Sequence, residues 1–393
     1  MTIRSLTRSL ALAALVTATL STTVPGATAA ERPAARLQRD ADAITALGVT
    51  GAQARLTTSD GGDVTATSGV ADLADRRPVP PDGHFRIASV TKTFVATVVL
   101  QLVGEGRLAL DDSVERWLPG VVSGNGNDGG AITLRQLLQH TGGLHDDYPD
   151  YTSAEDFQRR RNDAYTPEQT VARAMGHRPD SEPGERWQYG NTGYVLLGMV
   201  IERVTGQPWH AEVGDRIVRP LGLGHTFRPG TSPELPLPHA RTYQRFGPGE
   251  PLVDVTEQVG PGTNGEAGLV STTADLDRFF AALLGGRLLP PAQLAEMQRT
   301  VRVGREFRRL MPRARDGLGL FSRPLSCGGR YWGHEGGDAG WVTASAATAD
   351  GRRSVTVSLS GVLAASEEDV LHVEQAVSRL VDDALCGSPA GRS

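Results

Sequence analysis

Residues 85–92 read FRIASVTK and end at Lys92, the only lysine of the chain; the other thirty-nine of its forty basic side chains are arginines. Arginine stays protonated under ordinary conditions, whereas a desolvated ammonium group can lose its proton and act as a base. Ser89 precedes Lys92 by three residues, so the two side chains share one face of a helix. The spacing predicts a serine nucleophile beside a lysine base. The structural alternative is a plain N-cap serine and a surface lysine.

The segments around this motif predict both helix and strand. From 90 to 103 the apolar positions nearly surround the helix axis, which indicates burial on all sides. Upstream, 53–58 and 64–69 have the composition of strands, and the DGG sequence at 60–62 is a hairpin turn signal. The nucleophile is therefore expected at the start of a buried helix that follows a β-hairpin.

The last third of the chain returns to strands. Segments 341–348 and 354–360 flank a turn, and an amphipathic helix begins at Ser366 with three acids in its first turn. The middle of the chain is helical and irregular, with a helix predicted after the N-cap Thr166. Strands at both ends with helices between them predict an α+β fold.

The domain organisation follows from this pattern. We expect one α+β lobe from about 31–111 and 263–387, an inserted helical lobe from about 112–262, and a disordered tail at 388–393. A cleft between two such lobes is a common place for a site.

The N-terminus predicts export. Arg4 and Arg8 precede an apolar run at 9–20 and a small-residue cleavage signal at 27–30, so 1–30 is interpreted as a signal peptide. That run is too short to span a membrane, and no later stretch reaches about 18 apolar residues. Removing 1–30 changes the formal net charge from −5 to −7 because the segment has two arginines and no acid. A mildly acidic chain gives no case for nucleic-acid binding.

Three motifs occur in order: SVTK at 89–92, YGN at 189–191 and HEG at 334–336. This ordered set resembles the serine β-lactamase-like hydrolases, above all the secreted D-alanyl-D-alanine carboxypeptidases and class C-type enzymes. The resemblance spans nearly the whole mature chain. It includes LRQLLQHTGGL at 134–144, PGERWQYGNTGY at 183–194 and AGLVST at 267–272. It implies an antiparallel sheet flanked by the N- and C-terminal helices, with an inserted helical lobe.

The resemblance assigns the chemistry to four side chains. Ser89 is the expected nucleophile, Lys92 the base or proton shuttle, and Tyr189 the proton relay. Near a cationic Lys92 the phenolate of Tyr189 would be favoured, which lowers its pKa. His334 would tune Tyr189 through a hydrogen bond. Judged from the residues alone, Tyr189 and His334 could both be structural.

The remaining motif residues are expected to bind substrate. Asn191 could hydrogen-bond a substrate amide and Lys92, or it could be the N-cap of the next helix. Gly336 would let the substrate backbone approach the strand edge closely. The backbone N–H groups of Gly337 and Ser89 would stabilise the oxyanion.

Two positions depart from the carboxypeptidase pattern. Those enzymes usually carry hydroxyls, which help to hold a terminal carboxylate, at the positions of Glu335 and Gly337. If Glu335 faces the cleft, it repels a carboxylate about 5 Å away by about 3 kcal/mol at an effective dielectric constant of 20. That penalty disappears if Arg323 or Arg330 neutralises Glu335 or if the side chain points behind the strand.

The leading hypothesis is a secreted carboxypeptidase that acts on cell-wall peptides and is acylated by β-lactams. The alternatives are an esterase or D-aminopeptidase, and a binding protein that is acylated without turnover. No cofactor is expected, and the histidine at 334 has no second histidine at metal-binding spacing.

Export favours a disulfide between Cys327 and Cys386, and the place of Cys327 also looks like that of the carboxypeptidase disulfide. A monomer is expected.

Overall fold

The computed structural model describes residues 32–247, 249–260, 264–363 and 366–387. The predicted signal peptide at 1–30 and the predicted tail at 388–393 lie outside the described residues, so both stay predictions. From residue 32 onward the chain groups as one compact unit. The boundaries of the two predicted lobes therefore also stay a prediction.

Helices form much of the described chain, and several begin at side-chain caps. Thr133 and Thr166 each form a capping box with the glutamine three residues later. A 3-10 turn at Ala88–Val90 precedes α2, and a π-helical turn at Gly214–Val218 precedes α9. The α-helices are α1 (Pro33–Thr45), α2 (Thr91–Gly104), α3 (Val114–Trp117), α4 (Leu134–Leu138), α5 (Ala154–Arg160), α6 (Pro167–Met175), α7 (Thr192–Thr205), α8 (Trp209–Val213), α9 (Arg219–Leu221), α10 (Thr273–Leu284), α11 (Pro291–Met297), α12 (Phe307–Leu310) and α13 (Glu367–Cys386).

The strands form one large sheet and three short pairs. The strands are β1 (Val49–Thr57), β2 (Asp63–Gly69), β3 (Phe85–Arg86), β4 (Ser123–Gly124), β5 (Asn127–Asp128), β6 (Tyr243–Gln244), β7 (Val253–Asp254), β8 (Val270–Ser271), β9 (Val301–Arg302), β10 (Arg315–Asp316), β11 (Phe321–Pro324), β12 (Arg330–Asp338), β13 (Trp341–Thr348) and β14 (Ser354–Val362). The large sheet has the order β2-β1-β14-β13-β12-β11-β10-β9, and its pairs are antiparallel. The predicted α+β class is confirmed.

Helices cover both faces of this sheet. On one face α1 and α13 pack against β1, β13 and β14 through an apolar cluster that includes Leu37, Val357 and Leu380. On the other face α10 packs against the same strands, and α2 and α7 continue that core. Eleven of the fourteen residues of α2 are buried, which confirms the helix predicted to be apolar all round.

The edge of β12 is open where the site forms. Strand β11 pairs with β12 only between residues 330 and 333. From His334 to Asp338 no described strand pairs with that edge, and the turn at Ala88–Val90 packs against β12 instead. The topology therefore brings the first and last of the three motifs together.

A disulfide joins Cys327, in the turn between β11 and β12, to Cys386 at the end of α13. It fixes the covering helix to the base of the strand that carries the third motif. None of the helices in the described ranges is long and apolar enough to cross a membrane.

Loss of this disulfide is expected to destabilise the protein. The two cysteines are 59 residues apart in sequence, and a loop of that length gives up to about 4 kcal/mol in the chain-entropy description. We expect Cys386→Ser to lower the free energy of unfolding in urea by up to that amount. Added reductant should destabilise the wild type and leave the variant unchanged; equal sensitivity of both proteins to reductant would contradict this account.

Candidate active site

Ser89 lies in the 3-10 turn that leads into α2, and its side chain is partly exposed to a cleft of about 530 Å³. The residue at the N-cap position of α2 is Val90, so Ser89 is not the N-cap that the structural alternative requires. Ala88, directly before it, has φ +45°. A residue with a Cβ is strained in this left-handed region, and such strain is typical of functional turns.

Lys92 is fully buried, so it is not a surface lysine. Its Nζ donates hydrogen bonds to Ser89 Oγ (3.0 Å), Asn191 Oδ1 (2.8 Å) and the backbone carbonyl of Glu266 (2.9 Å). Burial lowers the pKa of Lys92 to about 8, although the nearby carboxylates oppose the change. A neutral amine keeps two N–H donors for Asn191 and Glu266 and turns its lone pair towards Ser89. The geometry suits a base that accepts the serine proton.

Asn191 occupies the N-cap position of α7, but its side chain makes no capping bond. Its Nδ2 donates to Asp146 Oδ2 (3.0 Å), which fixes the amide so that Oδ1 faces Lys92. The other oxygen of Asp146 accepts from the backbone N–H groups of Asn191 (2.8 Å) and Thr192 (2.9 Å) and caps the helix from outside. Of the two predicted roles for Asn191, the structure shows the bond to Lys92.

Tyr189 lies beside the nucleophile, since both residues line the same cleft. The expectation of a favoured phenolate is wrong, because burial raises the pKa of Tyr189 well above its ordinary value and the nearby Ser89 side chain offsets only part of the rise. The Nζ of Lys92 lies 5.1 Å from the centre of the tyrosine ring and so faces the ring. Tyr189 therefore carries its proton in the resting site and can donate it.

His334 is buried near the site, but the expected hydrogen bond to Tyr189 is not present among the described residues. Its Nδ1 lies 2.5 Å from the carbonyl oxygen of Glu335, which can only accept, so Nδ1 carries the proton. Burial and the charge of Lys92 lower the pKa of His334 to about 3, so the ring is neutral. The ring of Phe321 packs 4.9 Å from His334 and 6.4 Å from Tyr189, between centroids.

The two glycines of the third motif differ in their surroundings. A Cβ on Gly336 would lie 2.2 Å from the carbonyl oxygen of Ile87 and 3.2 Å from the backbone nitrogen of Ser89. Gly336 thus makes room for the backbone of the nucleophile turn; it also lines the cleft, so its role towards substrate stays a prediction. A Cβ on Gly337 would meet nothing within 4 Å, and this residue is exposed in the cleft.

The side chain of Glu335 points away from Ser89. Its Oε1 lies 3.4 Å from Arg323 Nη1, which also lies 3.5 Å from Glu374 of α13 on the far face of the sheet. Burial raises the pKa of Glu335, and Arg323 counteracts that rise. Glu335 contributes to the cleft wall, but its carboxyl group is paired behind the strand.

Sequence reasoning missed two acids of the site, Asp146 and Glu266. Glu266 is fully buried, and neither carboxyl oxygen has a hydrogen-bond partner within the described part of the chain. Burial raises its pKa to about 7, and the charge of Lys92 opposes this rise. Glu266 directly precedes the AGLVST motif at 267–272, and Asp146 follows LRQLLQHTGGL within two residues, so the flanks of the motifs were the available signal.

The cleft above Ser89 is acidic and aromatic. Three acids line it and no arginine or lysine does, within the described ranges. No group of three or more histidine, cysteine or acidic side chains there could hold a metal ion. Besides Ser89, the lining residues are Tyr148, Asp150, Tyr189, Asn191, Gln244, Ala267, Phe307, Glu335, Gly336, Gly337, Asp338, Ala339, Trp341 and Val342.

Removing the charge of Glu266 should change the pH at which Lys92 becomes active. If neutral Lys92 is the base, kcat/KM rises with pH through the pKa of about 8. The negative charge of Glu266 raises the pKa of Lys92, so Glu266→Gln should lower that pKa and move the rise of kcat/KM to lower pH. A charge interaction of about 1.4 kcal/mol corresponds to a shift of roughly one pH unit. The pH profile of ester hydrolysis measures this shift.

The matched control is Asp277→Asn. Asp277 is another buried carboxyl group, and burial raises its pKa well above the ordinary value, but it lies on α10 and is bonded to Thr57 of β1. Asp277→Asn should keep the wild-type pH dependence of kcat/KM. An unchanged pH dependence in Glu266→Gln would show that this carboxylate does not influence the base.

Gly336→Ala should separate β12 from the nucleophile turn. The added methyl meets backbone, which cannot rotate away, so we expect a loss of about 1–3 kcal/mol of stability and strongly reduced acylation. Gly337→Ala adds the same methyl to open space and should leave the melting temperature unchanged. Equal melting temperatures for the two variants would rule out the tight contact.

Known proteins resemble this chain over most of its length. Residues 35–376 match the family model described as Beta-lactamase. A D-stereospecific amidohydrolase from Streptomyces sp. is 40% identical, with a TM-score of 0.78 over 87% of this chain and 98% of that one. The D-amino acid amidase of Ochrobactrum anthropi SV3 is 28% identical, with a TM-score of 0.74 over 88% and 99%. Penicillin-binding protein 4* of Bacillus subtilis is 28% identical over 84% of this chain and 72% of its own length. The chain belongs to the beta-lactamase family of serine hydrolases.

Proposed function

We propose that this protein is an exported serine hydrolase that cleaves amide or ester bonds of substrates whose acyl part carries a free amino group, such as D-amino acid amides and short peptides with an N-terminal D-residue. The observation that carries the proposal is the charge of the cleft. Asp150 and Asp338 line it together with Ser89, and no arginine or lysine is among the described lining residues.

An ammonium group gains from this arrangement, and a carboxylate loses. At about 5 Å and an effective dielectric constant of 20, one carboxylate attracts an ammonium group by about 3 kcal/mol and repels a carboxylate equally. Burial raises the pKa of Asp338, while the guanidinium of Arg86 favours its anion. Asp150 is exposed at the cleft rim, where solvent screens its charge. Asp338 is therefore the stronger candidate for binding the amino group.

The proposed acylation step uses the bonds described above. Ser89 Oγ attacks the substrate carbonyl as its proton moves to neutral Lys92, and the carbonyl becomes an oxyanion near the backbone N–H groups of Ser89 and Gly337. The bond to the leaving amine then breaks as that nitrogen takes a proton from the Tyr189 hydroxyl. Lys92 returns its proton to Tyr189, and an ester on Ser89 remains.

Water completes the cycle. Neutral Lys92, through the phenol of Tyr189, accepts a proton from the water that attacks the ester. The second oxyanion collapses, Ser89 leaves with the proton, and the free amino acid is released. Both acylation and deacylation need Lys92 to alternate between amine and ammonium, and its lowered pKa allows this.

The relatives support the choice of bond and of configuration. Two of the similar solved structures are described as a D-stereospecific amidohydrolase and a D-amino acid amidase. Both names refer to amides, and both specify the D configuration. The disulfide between Cys327 and Cys386 supports the export that the N-terminal sequence predicts.

The second candidate is the D-alanyl-D-alanine carboxypeptidase, and the position of Glu335 favours it. Because Arg323 pairs with Glu335 behind β12, the repulsion that weakened this hypothesis is reduced. A penicillin-binding protein among the relatives is also consistent with acylation by β-lactams. Asp338 stays in the cleft and still opposes a terminal carboxylate.

A substrate panel separates the two candidates. The panel contains D-alanine amide, its L form, N-acetyl-D-alanine amide and an N-acylated D-Ala-D-Ala peptide. We expect kcat/KM for D-alanine amide to exceed that of the acetylated amide at least tenfold, and Asp338→Asn to remove most of this preference. Release of D-alanine from the acylated peptide as the faster reaction would establish the carboxypeptidase instead.

Matched variants complete the test. Asp147→Asn removes an acid of the loop that carries Asp150; it is paired with Arg173 at 2.8 Å and does not line the cleft, so the variant should keep the wild-type preference. Ser89→Ala should lose turnover and covalent labelling by a fluorescent penicillin, and Lys92→Arg should nearly do so. Full labelling of Ser89→Ala would disprove the acyl-enzyme mechanism.

A further inference from the structure

One stretch of this acidic protein is strongly basic. Residues 299–315 contain seven arginines and one acid, Glu306, although the whole chain has a net charge of −5. The stretch comprises β9, α12 and β10 at the outer edge of the large sheet. Six of its arginines are exposed: Arg299, Arg302, Arg305, Arg308, Arg309 and Arg313. We call these six the arginine surface.

The arginine surface is poorly neutralised by the protein itself. Its one ion pair within the described residues is a long one, from Arg299 to Glu296 at 3.9 Å. Other exposed arginines of the chain are tightly paired, since Arg159 pairs with Asp156 and Arg116 with Asp112, both at 2.5 Å.

Like charges also meet within the stretch. Arg302 of β9 lies directly opposite Arg315 of β10 in the antiparallel register, an arrangement that destabilises a strand pair. The side chain of Arg330 bonds to the carbonyl oxygen of Arg313 at 3.3 Å. Burial lowers the pKa of Arg330, and the charges of Arg315 and Arg313 lower it further. A bound anion would relieve this repulsion.

We propose that the arginine surface binds a polymer of linked phosphate groups that carries no bases. Guanidinium groups match phosphate oxygens in a two-pronged geometry, and they are weakly hydrated. The charges extend over a strand edge and a helix, which fits an extended polyanion better than a single small ion.

The same stretch argues against nucleic acid as the partner. Its one aromatic residue, Phe307, is stacked on Tyr189 and Phe321, with ring centres 5.6 and 5.3 Å apart. The stretch therefore offers no free ring on which a base could stack. Phe307 also lines the cleft, so a polymer on the arginine surface lies next to the entrance for substrate. Binding there would hold the enzyme close to any substrate associated with the polymer.

The test measures the binding of fluorescently labelled polyphosphate by anisotropy at several salt concentrations. The patch variant is Arg302→Gln/Arg305→Gln/Arg309→Gln. The control is Arg116→Gln/Arg159→Gln/Arg219→Gln, which removes the same charge from arginines paired with acids. We expect the patch variant to bind at least tenfold more weakly with a flatter salt dependence, and the control to change binding less than twofold.

Three outcomes would overturn the proposal. Equal weakening of both variants would show attraction to net charge alone. Orthophosphate that competes as well as polyphosphate, at equal total phosphate, would show a small-anion site. A single-stranded oligonucleotide of equal charge that binds tenfold more tightly would make nucleic acid the partner. Because all substituted side chains are exposed, the variants should fold, and unchanged hydrolysis of D-alanine amide or an ester verifies this.

Discussion

The site depends on one desolvated ammonium group. Lys92 is completely buried in a helix that has apolar neighbours on every side. A charged lysine in such a place is unstable unless its donors are satisfied, and here Ser89, Asn191 and the carbonyl of Glu266 satisfy them. The same burial that destabilises the ammonium form of Lys92 lowers the pKa of Lys92 to about 8. The core packing and the chemistry therefore have a common origin.

Burial acts in opposite directions on the pKa values of the two ionisable groups beside Ser89, Lys92 and Tyr189. It lowers the pKa of Lys92, because its charged form is a cation, and raises that of Tyr189, because its charged form is an anion. The lysine is thus the group more easily found without its proton, and the tyrosine the group more firmly protonated. Two residues in one dry environment acquire the complementary roles of base and acid.

The contact between α2 and β12 depends on the absence of one side chain. Gly336 lets the strand edge approach the backbone of Ile87 and Ser89. The acidic side chains on either side of it point to opposite faces of the sheet. Glu335 before it turns to Arg323 on the far face of the sheet, while Asp338, two residues after Gly336, lies in the cleft. The period of the strand decides which acid can meet a substrate.

Local patterns allowed much of this to be predicted, and long-range contacts set the limit. The pairing of Ser89 with Lys92 follows from helical spacing, and the α+β class follows from periodicity. The direction of Glu335 could not be predicted, because it depends on the register of β12. The roles of Asp146 and Glu266 depend on residues 45 and 174 positions away. The pKa of Tyr189 was misjudged because a sequence shows neighbours in the chain but not the solvent they exclude.

Acidic and basic side chains occupy different surfaces around the cleft entrance. Asp338 and Asp150 line the cleft, whereas the arginine surface continues from Phe307 along the outer edge of the sheet. The inner acids would attract an ammonium group, and the outer arginines would hold an anionic support. A small cationic substrate would not need the arginines, and a phosphate polymer would not enter an acidic cleft. The two surfaces therefore select different partners, and neither requires the other in order to bind.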